Sequence, residues 1–421
     1  MKIVHISPLY YPCIGGAEFH LKEVCEGLAK RGHDITVLTS NIRRSSDLWK
    51  GVSGGLPEVE SINRVKIIRL EPEGGALGKI VRRSLDLPGG CRLFNRILSP
   101  SGLDHFTQGP RTYGVIPWVY KSGADLVVTM NWYWPPAYYA YLARRLKTFK
   151  LVGIPLFHTF EDWSNRDVYS SMLKYCDAVV TNTAHEADFA SRPGAKTVFP
   201  VGVGIHPQAF DRKDGQGLRA AYDLGGKPVV GFVGRPTGNK GVGTVIEAMK
   251  YVWKWNSEVA LVLAGPDASS SGVDEIRLHE LTPLERARVV RICNFSDEEK
   301  ASIFDALDVF VLPSVGESFG IAYLEAWMCG KPVIGARIGP TSDVIDDGVD
   351  GLLAKPDDPG DLAAKLLELL SDPGKRERMG QNGRTKTLKR FTWDRIIDKT
   401  EQVYRHVVDG APRSSGASGL F

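Results

Sequence analysis

The sequence predicts an α/β protein of two domains, each built on a doubly wound parallel sheet. Apolar runs typical of buried strands alternate with amphipathic helical segments along most of the chain. This alternation indicates parallel sheets covered by helices on both faces. The chain has 421 residues, which suggests two or three domains rather than one core. A stretch rich in Gly and Pro at residues 199–205 separates two series of elements and predicts a linker.

The first series predicts a domain over residues 1–205. Its first strand, Lys2–Ser7, precedes a helix near Ala17–Lys30 and a strand at Asp34–Ser40. Further strands are predicted at Leu126–Met130, Lys150–Phe157 and Ala178–Thr181. Residues 41–124 show no clean period, so no element is predicted there.

The second series predicts a domain over residues 206–390, which starts with a strand at Pro228–Val233. The apolar run Asp308–Leu312 predicts another buried strand, because it ends at Pro313. The remaining segments are a charged helical region at Asp372–Phe391, a last helix within residues 391–409, and a tail at residues 410–421 whose Ser and Gly content predicts disorder.

The composition favours a cytoplasmic protein without a nucleic-acid partner. A net charge of +4 is small for this length. The six cysteines are scattered with no Cys-x-x-Cys pair, which indicates reduced thiols and no structural zinc site. A strand that begins at Lys2 leaves no room for a signal peptide, and no uninterrupted apolar run reaches about 18 residues.

One segment raises the possibility of a peripheral membrane contact. Between Lys79 and Ile97, five basic residues stand among apolar ones. Such a mixture can lie on an anionic membrane surface at the cytoplasmic face. A solvated basic face of an acceptor-binding domain is the alternative, and we favour it.

The most informative stretch follows the strand that ends at Pro313. Glu317 lies in a strand-to-helix loop, and Glu325 lies inside the helix that follows. The backbone amides of Ser318, Phe319 and Gly320 stand at the helix N-terminus, where the dipole favours an anion. Two glutamates eight residues apart would alone indicate only a solvated helix face. Together with the anion-binding amides of this helix N-terminus, the two glutamates suit a sugar nucleotide, because carboxylates accept hydrogen bonds from hydroxyls.

Two further strand-to-helix loops carry candidate ligand-binding residues. Gly15 and Gly16 allow a ligand to approach the backbone closely, although a tight turn without a ligand is equally consistent with them. They do not form the Gly-x-Gly-x-x-Gly fingerprint, which weakens a dehydrogenase interpretation. Arg235 and Lys240 flank a turn rich in Gly, Pro and Asn, so both could bind one diphosphate. Solvated surface charge is the alternative.

Two other predicted strand ends carry a histidine and a group of aromatic residues, each with a structural and a ligand-binding interpretation. His158 follows the apolar run Leu151–Phe157, where a histidine is more often structural than catalytic. The rings in Asn131-Trp132-Tyr133-Trp134 could stack on a glycan. Packing of this loop over the core is the other use of at least two of them.

Glu317 and Glu325 form a Glu-x7-Glu motif that contains Phe-Gly, with Pro-Ser before it and Gly-Lys-Pro-Val-Ile after it. This motif resembles the donor-site signature of retaining glycosyltransferases, in particular glycosyltransferase family 4. Members of that family have the GT-B architecture, two Rossmann-like doubly wound domains that face a central cleft. The Gly-Arg and Lys-Gly pairs around Arg235 and Lys240, and the first forty residues, resemble the family as well.

The resemblance implies retaining transfer of a hexosyl unit from a UDP- or GDP-linked sugar to a glycan, lipid-linked or small-molecule acceptor. Arg235, Lys240 and the helix N-terminus would bind the diphosphate. Glu325 would bind the ribose, and Glu317 would bind hydroxyls of the transferred hexose.

By the same resemblance, Gly15 and Gly16 lie close to the donor phosphates and the acceptor, and His158 lies near the donor sugar. No cofactor and no metal are expected, since the chain has no Asp-x-Asp pair at a strand end. Two other functions stay open at this point: a sugar-nucleotide epimerase on the same fold, and a non-catalytic protein that binds sugar nucleotides.

Overall fold

A computed structural model describes residues 1–13, 15–48, 53–72, 109–157, 167–266 and 277–410. The chain divides into two compact units. The first contains Met1–Gly202 and the segment from Trp393 onward, and the second contains Val203–Thr392. The segment from Lys79 to Ile97, His158 and residues 411–421 lie outside the described residues. Among the described residues, no helix is both long and apolar enough to cross a membrane.

The first unit is built on an eight-stranded sheet with the order β3-β4-β2-β1-β5-β6-β7-β8. All its pairs are parallel except the antiparallel pair of β3 with β4. Its strands are β1 (Lys2–Ile6), β2 (Asp34–Ser40), β3 (Val59–Ile62), β4 (Val65–Leu70), β5 (Leu126–Met130), β6 (Lys150–Ile154), β7 (Ala178–Thr181) and β8 (Val198–Pro200). Its described residues before the second unit form the helices α1 (Gly16–Lys30), α2 (Val115–Ser122), α3 (Pro135–Leu146), α4 (Asp167–Tyr175) and α5 (Ala184–Ser191).

The predicted linker is wrong at its start. Phe199 and Pro200 belong to β8, where they pair with Val180 and Thr181 of β7. Pro200 is tolerated because β8 is the last strand of the sheet and needs no ladder donor on its outer side. The chain leaves the first unit after Gly202, whereas the sequence placed the domain boundary at residue 205.

The second unit is built on a six-stranded sheet with the order β11-β10-β9-β12-β13-β14, and all its pairs are parallel. Its strands are β9 (Val229–Val233), β10 (Ala260–Gly265), β11 (Val289–Cys293), β12 (Val309–Leu312), β13 (Val333–Ala336) and β14 (Gly351–Ala354). Its helices are α6 (Gly215–Ala221), α7 (Val242–Trp255), α8 (Pro283–Arg286), α9 (Asp297–Ala306), α10 (Ile321–Met328), α11 (Gly339–Val344), α12 (Pro359–Ser371) and α13 (Pro373–Arg390). Short 3₁₀ helices lie at Ser45–Asp47 in the first unit and at Pro207–Phe210, Gly238–Lys240 and Arg277–Glu280 in the second.

The first sheet is covered on both faces, as the alternation of strands and helices predicted. Val4 of β1 belongs to an apolar cluster that contains Tyr139 of α3 and Met172 of α4. The neighbouring His5 points to the other face, because side chains alternate along a strand. There its ring lies 5.8 Å from the ring of Tyr404.

Tyr404 belongs to the last helix, α14 (Trp393–Asp409), which packs against α1 within the first unit. A Cβ atom on Gly27 of α1 would lie 2.2 Å from Cδ1 of Ile397, so the two helices touch closely there. Arg31 pairs with Glu401 at 2.8 Å. Burial acts to raise the pKa of Glu401. Hydrogen bonds from Arg31, Arg405 and His33 outweigh this effect and hold the pKa at about 2.

Candidate functional site

The candidate site of the second unit lies where its strand order reverses. From β9 the chain fills one side of the sheet through β10 and β11, and from β12 it fills the other side through β13 and β14. Strands β9 and β12 are parallel neighbours, so the loops that follow them meet at one edge of the sheet. Ligands of doubly wound sheets bind at such a switch point, outside the carboxyl ends of the strands.

Hydrogen bonds join these two loops. The backbone carbonyl of Asn239, in the loop after β9, accepts a hydrogen bond from the Ser314 hydroxyl at 2.9 Å. It also accepts from the two backbone amides that follow Ser314, at 3.0 and 3.3 Å. Gly241 has a φ of 74°, and a Cβ there would lie 2.4 Å from the carbonyl oxygen of Pro313. The loops can therefore pack together only with glycine at this position.

Lys240 and Glu317, one from each loop, form a direct ion pair. Lys240 Nζ donates to Glu317 Oε2 at 2.6 Å. The side chains are only 25% and 10% exposed, so water screens the pair weakly. The sequence predicted both residues as donor-site residues, and the structure shows that they touch.

Arg235, the second predicted cation, stands differently. It is exposed in the loop after β9 and makes no ion pair with any described residue. Among the described residues, no carboxylate competes with an anionic ligand for its guanidinium group. A guanidinium group suits a phosphate because it can donate two parallel hydrogen bonds.

The N-terminus of α10 completes the anion-binding edge. Gly320 caps this helix with a φ of 88°, and a Cβ there would lie 2.3 Å from the Tyr323 ring. Phe319 is buried, and its ring packs against Phe391 at 5.5 Å, which holds the loop in place. The backbone amides of Ser318, Phe319 and Gly320 donate to no acceptor among the described residues. These amides precede a helix N-terminus, where the helix dipole favours an anion.

Tyr323 supports this loop, and no sequence motif pointed to that role. Its hydroxyl donates to the backbone carbonyl of Leu312 at 2.7 Å. Burial, and then the nearby Glu317 carboxylate, raise the pKa of Tyr323 well above its usual value. The tyrosine therefore stays neutral and serves as a hydrogen-bond donor beneath Glu317.

Glu325 is held by a residue that sequence reasoning missed. Lys300 Nζ of α9 lies 3.1 Å from Glu325 Oε1 and 3.1 Å from Asp297 Oδ1. Burial lowers the pKa of Lys300, but the two carboxylates outweigh it, so the pKa lies above its usual value. Lys300 is thus charged and fixes the orientation of the Glu325 carboxylate. No motif connects residues 300 and 325, so only the fold could reveal the contact.

A small, open pocket lies beside the loop after β9, at the carboxyl ends of β9, β10 and β11. Its lining is mostly apolar, with one basic side chain and one thiol. The lining residues are Phe232, Gly234, Pro236, Leu263, Ala264, Gly265, Pro266, Arg291 and Cys293.

The predicted glycines Gly15 and Gly16 belong to the first unit. Gly15 caps α1, and Gly16 is its first residue. They follow β1, which is paired with β5 where the strand order of the first sheet reverses. A Cβ atom on Gly16 would meet no atom of the described residues within 4 Å, so these residues leave open space beside its backbone.

The aromatic loop after β5 packs over the core. Trp132 is 2% exposed, and its Nε1 donates to the Thr129 hydroxyl at 3.0 Å. Its ring meets Phe157 edge-to-face at 6.0 Å. Trp134 packs against a buried cluster that contains Leu9. The packing interpretation is thus confirmed for these two tryptophans.

Two family models match the chain. Residues 14–203 match the model described as Glycosyltransferase Family 4, and residues 218–386 match the model described as Glycosyl transferases group 1. A D-inositol 3-phosphate glycosyltransferase from Stackebrandtia nassauensis is 28% identical over 99% of this chain and 94% of its own length. An uncharacterized glycosyltransferase from Methanocaldococcus jannaschii is 26% identical over 96% of this chain and 98% of its own.

Solved structures share the fold. A sucrose-phosphate synthase from Thermosynechococcus elongatus superimposes with a TM-score of 0.72 at 22% identity, and covers 97% of this chain and 100% of its own. Anabaena HepE in complex with UDP and glucose gives a TM-score of 0.71 at 19% identity over 96% of this chain and 99% of its own. Two family models that together span most of the chain, and GT-B neighbours of equal length, agree with the geometry at the β9/β12 switch point. The chain belongs to glycosyltransferase family 4 and has the GT-B fold.

Proposed function

We propose that this glycosyltransferase transfers a hexosyl unit from a UDP- or GDP-linked sugar with retention of configuration and without a metal. The observation that carries the proposal is the contact between Lys240 and Glu317 beside the N-terminus of α10. It places a cation suited to phosphate next to a carboxylate suited to sugar hydroxyls. UDP-glucose is the first donor to test, because a solved GT-B neighbour was crystallised with it.

The diphosphate gains negative charge as the glycosidic bond breaks. Arg235, Lys240 and the amides at residues 318–320 would stabilise this charge. Fixed donors of this kind supply much of the rate enhancement in many enzymes. They would do here what a divalent cation does in enzymes with an Asp-x-Asp pair, so the proposal needs no metal.

The two glutamates receive different roles. Glu325, oriented by Lys300, would accept hydrogen bonds from the ribose hydroxyls. Glu317 would bind hydroxyls of the hexose close to the reacting carbon. Its carboxylate bonds to Lys240, which suits a positioning role better than that of a covalent nucleophile. We therefore propose a front-face displacement, with His158 as a polar contact for the donor sugar or the acceptor.

The acceptor is proposed to be a glycan, a lipid-linked sugar or a small polyol. The names of the relatives suggest where to begin, since they mention inositol phosphate and sucrose phosphate. Phosphorylated cyclitols and sugars are therefore the first acceptors to test.

The test has two stages. A thermal-shift screen across UDP- and GDP-linked hexoses identifies the donor, because a ligand that binds only the folded state raises the melting temperature. Release of nucleoside diphosphate is then measured with and without acceptors, and NMR gives the anomeric configuration of the product. Conversion of the donor without an acceptor would indicate an epimerase. Binding without turnover for every acceptor would leave a binding protein, and an inverted anomer would refute retention.

Metal independence is tested separately. After dialysis against excess EDTA, we expect the rate of transfer to be unchanged. A loss of turnover that Mg²⁺ or Mn²⁺ restores would refute this part of the proposal.

A further inference from the structure

A second surface of the first unit carries unusual chemistry. The carboxyl ends of α2, α3 and α4 lead directly into the amino ends of β5, β6 and β7. These three helix ends therefore meet at the amino edge of the sheet. The loop with Gly15 and Gly16 follows the carboxyl end of β1 and lies at the opposite edge.

Apolar and aromatic side chains are exposed at this edge. Tyr120 is 47% exposed, Leu146 is 69% exposed and Tyr175 is 44% exposed. Contacts join them into one surface. Lys147 Nζ donates to the Tyr120 carbonyl at 2.9 Å and lies 5.2 Å from the Tyr120 ring, which links α2 to α3. The rings of Tyr141 and Tyr175 meet at 5.2 Å, which links α3 to α4.

The same surface is basic. Residues 141–150 contain four cations and no acid, although the whole chain carries a net charge of only +4. Two acids lie nearby: the exposed Asp125 accepts from the Lys2 amide at 2.7 Å, and Asp177 pairs with Arg144 at 3.4 Å, so cations outnumber acids at this edge. We call this surface the amino-edge patch, and its exposed members are Tyr120, Lys121, Arg145, Leu146, Lys147, Lys174 and Tyr175.

Local structure accounts for only part of this composition. A cation in the last turn of a helix is favoured by the helix dipole, and α2 and α4 each have one there while α3 has two. The dipole does not explain why half-exposed tyrosines and a largely exposed leucine stand among these cations. Tyrosine combines an apolar ring with a polar tip, and lysine can bury its stem while its charge stays in water. Both suit the boundary between water and lipid.

We propose that the amino-edge patch docks on an anionic lipid bilayer. Anionic headgroups attract clustered cations by about 1 kcal/mol for each Lys or Arg near the surface. The exposed Leu146, with Tyr120 and Tyr175 beside it, would enter the headgroup region. A soluble polyanion such as heparin would use the cations alone and would leave this apolar area in water. Docking at the amino edge would keep the Gly15 loop away from the bilayer, and it does not depend on the proposed reaction.

The test is cosedimentation of the full chain with phosphatidylcholine vesicles that contain or lack phosphatidylglycerol. We expect binding only to the anionic vesicles and release in high salt, because exposed charges are screened. A variant with Lys121, Arg145, Lys147 and Lys174 changed to Gln should bind at least about tenfold more weakly. The matched control changes four exposed cations of the second unit to Gln, namely Arg378, Arg384, Lys389 and Arg390, and should bind as the unchanged protein does.

A second variant tests the apolar contribution. Leu146→Ser with Tyr175→Ser keeps every charge and should also weaken binding, and circular dichroism confirms that each variant is folded. Equal loss in the patch variant and the control would show general electrostatic attraction and overturn the proposal. Equal binding to neutral and anionic vesicles would overturn it too, as would binding to heparin with none to vesicles.

Discussion

The ion pair between Lys240 and Glu317 allows the effect of Glu317→Gln on nucleotide binding and on turnover to be predicted. The two atoms lie 2.6 Å apart, and Glu317 is 10% exposed, so this is a charge-assisted hydrogen bond in a weakly screened place. Such bonds contribute about 1.5–3 kcal/mol. A diphosphate that recruits Lys240 must compete with this bond. Glutamine has the same shape but binds lysine more weakly.

We therefore expect Glu317→Gln to change two constants in opposite directions. In the variant, Lys240 should leave residue 317 for the diphosphate at a cost lower by about 1 kcal/mol. Nucleoside diphosphate should then bind roughly fivefold more tightly. The turnover number should fall by roughly 10²-fold or more, about 3 kcal/mol, because the carboxylate no longer stabilises the reacting sugar. A substitution that merely damaged the site would lower both the affinity for nucleoside diphosphate and the turnover number.

The assay combines calorimetric titration of nucleoside diphosphate with steady-state kinetics. Two matched variants serve as controls. Lys240→Met should weaken nucleotide binding, and Glu325→Ala should raise the KM for donor and the Kd for nucleotide with a smaller effect on kcat. If Glu317→Gln abolishes nucleotide binding while Glu325→Ala leaves it intact, the two glutamates have the opposite roles.

Three further outcomes follow from described contacts. Lys300→Met should raise the donor KM and reduce the preference for a ribose over a 2′-deoxyribose donor, because Glu325 loses its partner; equal effects on both donors would refute this. Gly27→Val should lower the free energy of unfolding by about 1–3 kcal/mol through its clash with Ile397, and Ile397→Ala should relieve part of that loss in the double variant. Glu401→Gln should lower the melting temperature at neutral pH. The pKa of Glu401 in the folded protein, about 2, lies below its ordinary value of 4.5. The difference in melting temperature between the variant and the unchanged protein should therefore be full above pH 4.5 and vanish as the pH falls through 2. A constant difference across that range would contradict the assignment.

The architecture was predictable from the sequence because parallel strands and their helices have strong, different periods. Helix α1 and strand β2 begin and end within a residue of their predicted limits. Strands β3 and β4 were missed because their hairpin turn, Asn63-Arg64, lacks the glycine that marks such turns. Both residues have positive φ, 50° and 69°, as a type I′ turn in a two-residue hairpin requires.

The candidate site was predictable as a set of loops but not as a set of contacts. Helix-terminus and glycine signals placed Glu317 and Lys240 at strand ends. These two strand ends are neighbours only because β9 pairs with β12, which brings together side chains that are 77 residues apart in the sequence. The pairing of Lys300 with Glu325 depends equally on how α9 packs beside α10. Strand order and helix packing are set by the whole core, which local patterns do not encode.

The place of α14 has a consequence for biosynthesis. The second unit is contiguous in sequence, from Val203 to Thr392, whereas the first unit is interrupted by it and is completed only by the helix from Trp393. During translation the second unit can fold as soon as it emerges. The surface of α1 around Gly27 must wait for Ile397, and until then it stays exposed as a site where chaperones or another nascent chain could bind.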